Sequence, residues 1–210
     1  MGTITLEQDA SRAAGEAPTT LALPRSVRLV VDADDFATLC AANRDLRLER
    51  AADGGLIAMT PASSDGGGRN AELTIQLGIW NKASRLGKVF DSSTGFTLPD
   101  GAIRAPDVSW IARERWDRVP AEDRRRFAHV VPDFAVELRS PSDAIKDMRV
   151  KMAEYLAHGV RLGWLIDPET QTVEIHRPGR DVETLTKPTT LPGEDVLPGF
   201  TLDLKGVLFD

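Results

Sequence analysis

The stretch PDFAVELRSPSD (132–143), with the segment that follows it to RLGWLID (161–167), constrains the fold more than any other part of the chain. Phe134, Ala135, Val136 and Leu138 form a short apolar run of strand length. Ser140 to Ser142 offer capping side chains, so a helix is expected from about 143 to 158, ended by Gly159. Ile145, Met148, Met152 and Leu156 give that helix an apolar stripe. RLGWLID then reads as a second strand. Strand, helix and strand make a βαβ crossover, which would be right-handed. One residue breaks the apolar run: Glu137 stands in the middle of a strand that otherwise looks buried.

The remaining pattern extends this unit into one domain. Residues 32–45 read as a short helix capped by Asp32 or Asp34, and 46–61 as a β-hairpin turning at Asp53-Gly54-Gly55. SSDGGGRN (63–70) reads as a mobile loop, a lid over a cleft or a plain linker, ahead of a helix reaching about Arg85. Leu73, Leu77 and Trp80 supply that helix's stripe. Short strands are expected at 88–93, 95–99 and 105–111, then a basic loop over 112–126. QTVEIHRP (171–178) pairs with RLGWLID as a hairpin, and short strands and turns fill 180–210. The order implies an α/β (α+β) domain, a central mixed sheet flanked by helices, over residues 23–210. Residues 1–22 read as a flexible tail without the basic start and apolar core of a secretory signal.

Composition narrows the classes. No apolar run approaches the roughly 18 residues of a membrane span, so no membrane partner is expected and the setting is read as cytoplasmic. The one cysteine, Cys40, excludes an intrachain disulfide and a multi-cysteine zinc site. Net charge is −6, which does not suit a coat for polyanions but leaves room for an enzyme with a local acidic metal site. Arg113, Arg115 and Arg118, and the run Arg124 to Arg126, are candidate phosphate contacts; a solvated surface is the plainer reading. The glycines of DGGGRN lack P-loop spacing, so nothing beyond an α/β core points to a sugar-phosphate or other small-molecule enzyme.

Two acids sit in similar strand settings. Asp107 follows Pro106 and precedes Val108-Ser109-Trp110-Ile111, and Glu137 lies within 134–138. If the two strands are neighbours, both carboxylates can enter one cleft and hold Mg²⁺, with water and substrate phosphate completing its shell. Glu137 pairing with Arg139, or facing solvent, is the alternative. Lys151 and Tyr155 lie one turn apart on the helix that follows, at the margin of its stripe. From there Lys151 can lean toward Glu137, to orient or deprotonate an attacking water, or simply snorkel at the helix boundary.

Together RAPDVSWI, PDFAVELRSPSD and KMAEYLAHGVRLGWLIDP resemble the Uma-type family of restriction endonucleases, within the PD-(D/E)XK nuclease superfamily. GKVFDSSTGFTLPDGAIRAPD and LPGEDVLPGFTLDL extend the resemblance to roughly residues 30–205. It implies a restriction-endonuclease-like core with Asp107 and Glu137 as metal-binding acids, Mg²⁺ or Mn²⁺ as cofactor, DNA as substrate and a homodimer as assembly. The usual lysine two residues past the second acid is here Arg139, which can clamp phosphate but not act as a base. Lys151 resembles a migrated replacement, and its spacing to Tyr155 mimics a Gln-x-x-x-Tyr element of some branches. Glu72 sits where other members place an extra acid. The function implied is a metal-dependent DNA endonuclease; the alternative is an inactive descendant serving as a binding or regulatory module.

Overall fold

The computed structural model describes residues 2–6, 19–23, 28–59 and 61–209. Strands β1 (Gly2–Leu6) and β2 (Thr19–Leu23) pair with each other, and residues 1 and 7–18 of the segment read as a tail lie outside the described residues. Next come α1 (Ala33–Ala42), β3 (Arg47–Arg50), β4 (Leu56–Met59), α2 (Ser64–Ser84) and β5 (Gly87–Asp91). The short strands β6 (Phe96–Thr97) and β7 (Ile103–Arg104) precede β8 (Val108–Ala112) and α3 (Arg113–Asp117). Then follow β9 (Phe134–Leu138), α4 (Ile145–Ala157), β10 (Leu162–Asp167) and β11 (Thr172–His176). β12 (Glu183–Thr186), β13 (Thr190–Pro192) and β14 (Thr201–Asp203) complete the chain.

The central sheet has the order β12-β11-β10-β9-β8-β5. Its β9–β10 pair is parallel and the other ladders are antiparallel, so the sheet is mixed and α4 is the crossover. A second sheet, β4-β3-β7-β6, carries the N-terminal hairpin. Alternation along β9 divides its side chains between two layers. Phe134 and Val136 join Leu73 and Leu77 of α2 and the apolar residues from Leu191 to Leu208. Ala135 lies on the other face with Met148, Met152 and Tyr155 of α4. Glu137 has the parity of Ala135, so it sits on the α4 side. Gly163 faces α4: a Cβ there would stand 2.4 Å from the Met152 methyl.

Local structure differs from the sequence reading in the basic loop, where α3 and a 3-10 turn at Asp123–Arg125 form, and in two further places. The glycine-rich stretch is not a loop but the first turns of α2: Ser63 caps it by accepting the Gly66 N–H, and Asp65 favours the positive end of the helix dipole. Ser-Pro-Ser-Asp does not cap α4. The Asp143 carboxylate takes the Ser140 N–H and hydroxyl at 2.9 and 2.6 Å, closing a separate turn, and α4 begins after Ala144 with no side-chain cap.

Candidate active site

The ladder between β8 and β9 sets the two acids together. Val108 faces Val136, so one further step along the same antiparallel register places Asp107 across from Glu137. Asp107 lies just ahead of β8, where the ladder ends. Its Oδ2 accepts the Leu138 N–H at 2.8 Å, replacing a ladder bond with a side-chain bond. Its Oδ1 meets the Asn70 amide at 3.4 Å and the Arg47 guanidinium at 3.8 Å. Burial raises the Asp107 pKa, against the Leu138 amide, Lys151 and Arg47.

α4 brings the amine. Lys151 and Tyr155 are four residues apart, hence on one face, and both reach the same oxygen of Glu137. Lys151 Nζ stands 2.9 Å from Glu137 Oε1, and the Tyr155 hydroxyl donates to that atom at 2.8 Å. Glu137 Oε2 accepts no hydrogen bond from the described residues. Glu137 is only 4% exposed. Burial pushes its pKa up to about 7 against the pull of Lys151, and the like charges of Asp107 and Glu49 add to the rise. Burial also raises the Tyr155 hydroxyl well above an ordinary tyrosine, with Glu137 contributing, so it remains a donor.

Glu49 of β3 completes the group, and the sequence reading missed it. Its Oε1 accepts from Lys151 Nζ and from the Ala105 N–H, both at 2.9 Å, and its Oε2 accepts from Arg104 at 3.2 Å. Arg104 is clamped in turn by both oxygens of Glu154 on α4, at 2.7 and 3.1 Å. The sequence LRLER suggests leucines inward and charges outward. The structure inverts this: Glu49 is 2% exposed and Leu46 53%. The available signal was the alternation of Arg47 and Glu49 with leucines, which fits a polar face turned inward as well as one turned to water.

One ammonium therefore serves two buried carboxylates. Burial opposes the charge on Lys151, but Glu137 and Glu49 outweigh it and hold the amine above the ordinary lysine value. Burial likewise opposes the charge on Glu49, yet Lys151, the Ala105 amide and Arg104 together lower its pKa. The raised value at Glu137 and the raised value at Lys151 are compatible on this basis. Glu49, with more donors, ionises first, and Glu137 is the second acid to share a single cation.

Two sequence candidates fall elsewhere. Glu72 is two residues from Asn70 on α2, roughly 200° around the helix, and pairs with Gln76 at 3.0 Å beside Gly206. α2 thus presents Asn70, not Glu72, to Asp107. Arg139 lies one residue past β9, where its guanidinium meets Asp167 at 2.9 Å and Glu169 at 3.0 Å, and its Nε donates to the Asp143 carbonyl. The basic loop is likewise engaged in part. Arg115 pairs with Asp133 at 2.8 Å, and Arg124 folds onto the carbonyls of Trp116, Asp117 and Val119.

The pairing of a strand acid with the acid opposite and a helix-borne lysine runs through the region that one family model covers. The Uma2 family model, described as "Putative restriction endonuclease", matches residues 33–205. The chain belongs to the Uma2 family. A crystal structure from Anabaena variabilis ATCC 29413, described as "a putative nuclease belonging to DUF820", is similar to this Uma2 chain with a TM-score of 0.64. The two are 24% identical, over 77% of this chain and 89% of that chain, so the likeness shows the fold. No significant match was found among curated proteins.

Among the described residues of the Uma2 chain no group of three or more His, Cys, Asp or Glu is arranged to hold an ion, and no helix is long and apolar enough to cross a membrane. The residues present still fit a hard divalent cation. Asp107 and Glu137 offer only oxygen, and Mg²⁺ commonly takes one or two protein carboxylates and fills its shell with water and phosphate. Beside Asp107, the Asn70 Oδ1 is buried without a hydrogen-bond partner, while the amide nitrogen of the same side chain faces Asp107.

Proposed function

We propose that this Uma2-family chain is a divalent-metal-dependent endonuclease that hydrolyses phosphodiester bonds of DNA. One observation carries the reading: two carboxylates expected face to face across the β8–β9 ladder, with the Lys151 ammonium 2.9 Å from one of them. The family description and the resemblance to the PD-(D/E)XK pattern support it. Asp107 and Glu137 would hold Mg²⁺ or Mn²⁺, which when bound supplies Lewis-acid charge and a more acidic water. Asp107 is kept in place by the Leu138 amide, and Glu137 by Tyr155.

Lys151 acts as a donor rather than a base. With its pKa raised by two acids it stays protonated near neutrality, so it steers a phosphate oxygen and offsets the charge that builds there. Arg139 then has no vacancy to fill, since its partners are Asp167 and Glu169. The reading includes a homodimer, whose symmetry suits duplex DNA.

Plasmid cleavage in Mg²⁺ or Mn²⁺ tests this. The parent protein should nick or cut, and Glu137→Ala should abolish the activity; equal cutting by both would sink the assignment. The second reading, an inactive binding module, is favoured by Lys151 being already satisfied by two carboxylates. Titration calorimetry with Mn²⁺ separates them, because a module that has lost its chemistry takes up no ion.

A further inference from the structure

We propose that Glu49 is a positioning residue that retains Lys151 when Glu137 turns to the metal. The proposal rests on the nuclease reading and extends it to a residue outside the β8–β9 ladder. Lys151 Nζ is bonded at 2.9 Å to each of two carboxylates of different character. Among the described residues the Glu137 carboxylate meets two side chains of α4, Lys151 itself and Tyr155, and its Oε2 accepts no hydrogen bond from them. Glu49 is fixed independently of α4's amine: the Ala105 backbone N–H at 2.9 Å and Arg104 at 3.2 Å fasten it to the chain just ahead of Asp107.

The consequences are geometric. A carboxylate engaged with a cation has less of its charge to offer an ammonium, and the two positive groups repel. A lysine paired with Glu137 alone would either compete with the cation or be displaced from the site. Glu49 removes the conflict by giving the ammonium a second anchor on the four-stranded sheet. The bidentate pair between Arg104 and Glu154 keeps that sheet in register with α4, three residues beyond Lys151. Lys151 is thereby held beside the acids without closing Glu137 to the ion.

Two measurements test this, with thermal melts showing that each variant is folded. In metal-free protein, the Lys151 ammonium gives an NMR signal from its protected N–H groups, assigned by its loss in Lys151→Gln. It should persist in Glu137→Gln and disappear in Glu49→Gln; the opposite pattern overturns the proposal. In Mn²⁺ calorimetry, Glu49→Gln should weaken binding by about tenfold, a coupling of ordinary size for contacting residues. In a Lys151→Gln background the same substitution should change affinity by less than about twofold. Equal losses in both backgrounds would mean that Glu49 acts on the ion directly or through the fold, and the proposal fails. Absence of Mn²⁺ binding by the parent protein, with the expected NMR pattern, removes the nuclease reading and leaves Glu49 as the anchor of Lys151.

Discussion

Asp107 accepts the backbone N–H of Leu138 at 2.8 Å, so the first acid is tied to the chain one residue past the second. This bond needs an acceptor, not a charge. Asp107→Asn is therefore expected to fold with a melting temperature near that of the parent, while Mn²⁺ affinity falls at least about tenfold, the loss of one charged ligand. Melting curves and calorimetry on the same samples check both halves.

Glu137 should impose a pH dependence on stability in the absence of metal. Its folded pKa of about 7 stands above the ordinary 4.5, so the folded state binds this proton more tightly than the unfolded chain. That contribution is complete below the unfolded value and is lost as pH rises through the folded one. Between pH 5 and 8, Glu137→Gln should gain on the parent by about 2.5 kcal/mol. Denaturant titrations of the two proteins at both pH values measure it; a constant difference would show that Glu137 ionises normally. Because a ligand carboxyl must lose its proton, Mn²⁺ affinity should also climb over the same interval.

Removing the amine strands two acids. Lys151→Met leaves Glu137 and Glu49, both nearly inaccessible, without their shared cation. Breaking a buried pair from one side costs on the order of 3–5 kcal/mol. The loss should be smaller at pH 5, where Glu137 can take a proton, than at pH 8. Chemical denaturation across that range is the check.

Two glycines predict opposite outcomes. A Cβ at Gly87 would meet the Ile111 carbonyl oxygen at 2.3 Å and the Trp110 ring at 2.4 Å, so Gly87→Ala should destabilise by about 2 kcal/mol or more. Gly78 lies inside α2 with nothing within 4 Å of the same position. Gly78→Ala should stabilise by roughly 0.5–1 kcal/mol, through helix propensity and reduced freedom of the unfolded chain. Thermal melts of both variants suffice.

Arg139 offers a negative prediction. Since Asp167 and Glu169 already engage its guanidinium, Arg139→Gln should lower stability without the loss of cleavage that Glu137→Ala brings. A cleavage defect at unchanged stability would restore it to the phosphate-binding group.

Much of this arrangement is legible in the sequence. The apolar run around Glu137, the stripe of α4 and the hairpin after Asp167 follow local periodicity, and they appear where periodicity puts them. Strand parity and one helical turn make Asp107, Glu137 and Lys151 candidates but leave other readings open, and the family resemblance singles them out. Glu49 is not legible, because a strand of alternating charge and leucine carries no mark of which face is inward; only the packing of a second sheet decides it. Glu72 and Asn70 show the same limit in a helix, where two residues' difference moves a side chain to the far side. The glycine-rich start of α2 misled because glycine is a poor helix former, and the Ser63 cap with the length of the helix beyond it outweighs that penalty.

The bond between Lys151 and Glu49 spans 102 positions of the chain. Contacts so distant in sequence form late, after loop-closure entropy has been met by other packing. A nascent polypeptide carries Glu49 and Asp107 well before Lys151 has been synthesised, and the amine meets its acids only once α4 has docked between the two sheets. On the proposed activity, hydrolytic competence arrives only with the finished domain, and a copy truncated before Lys151 lacks the amine.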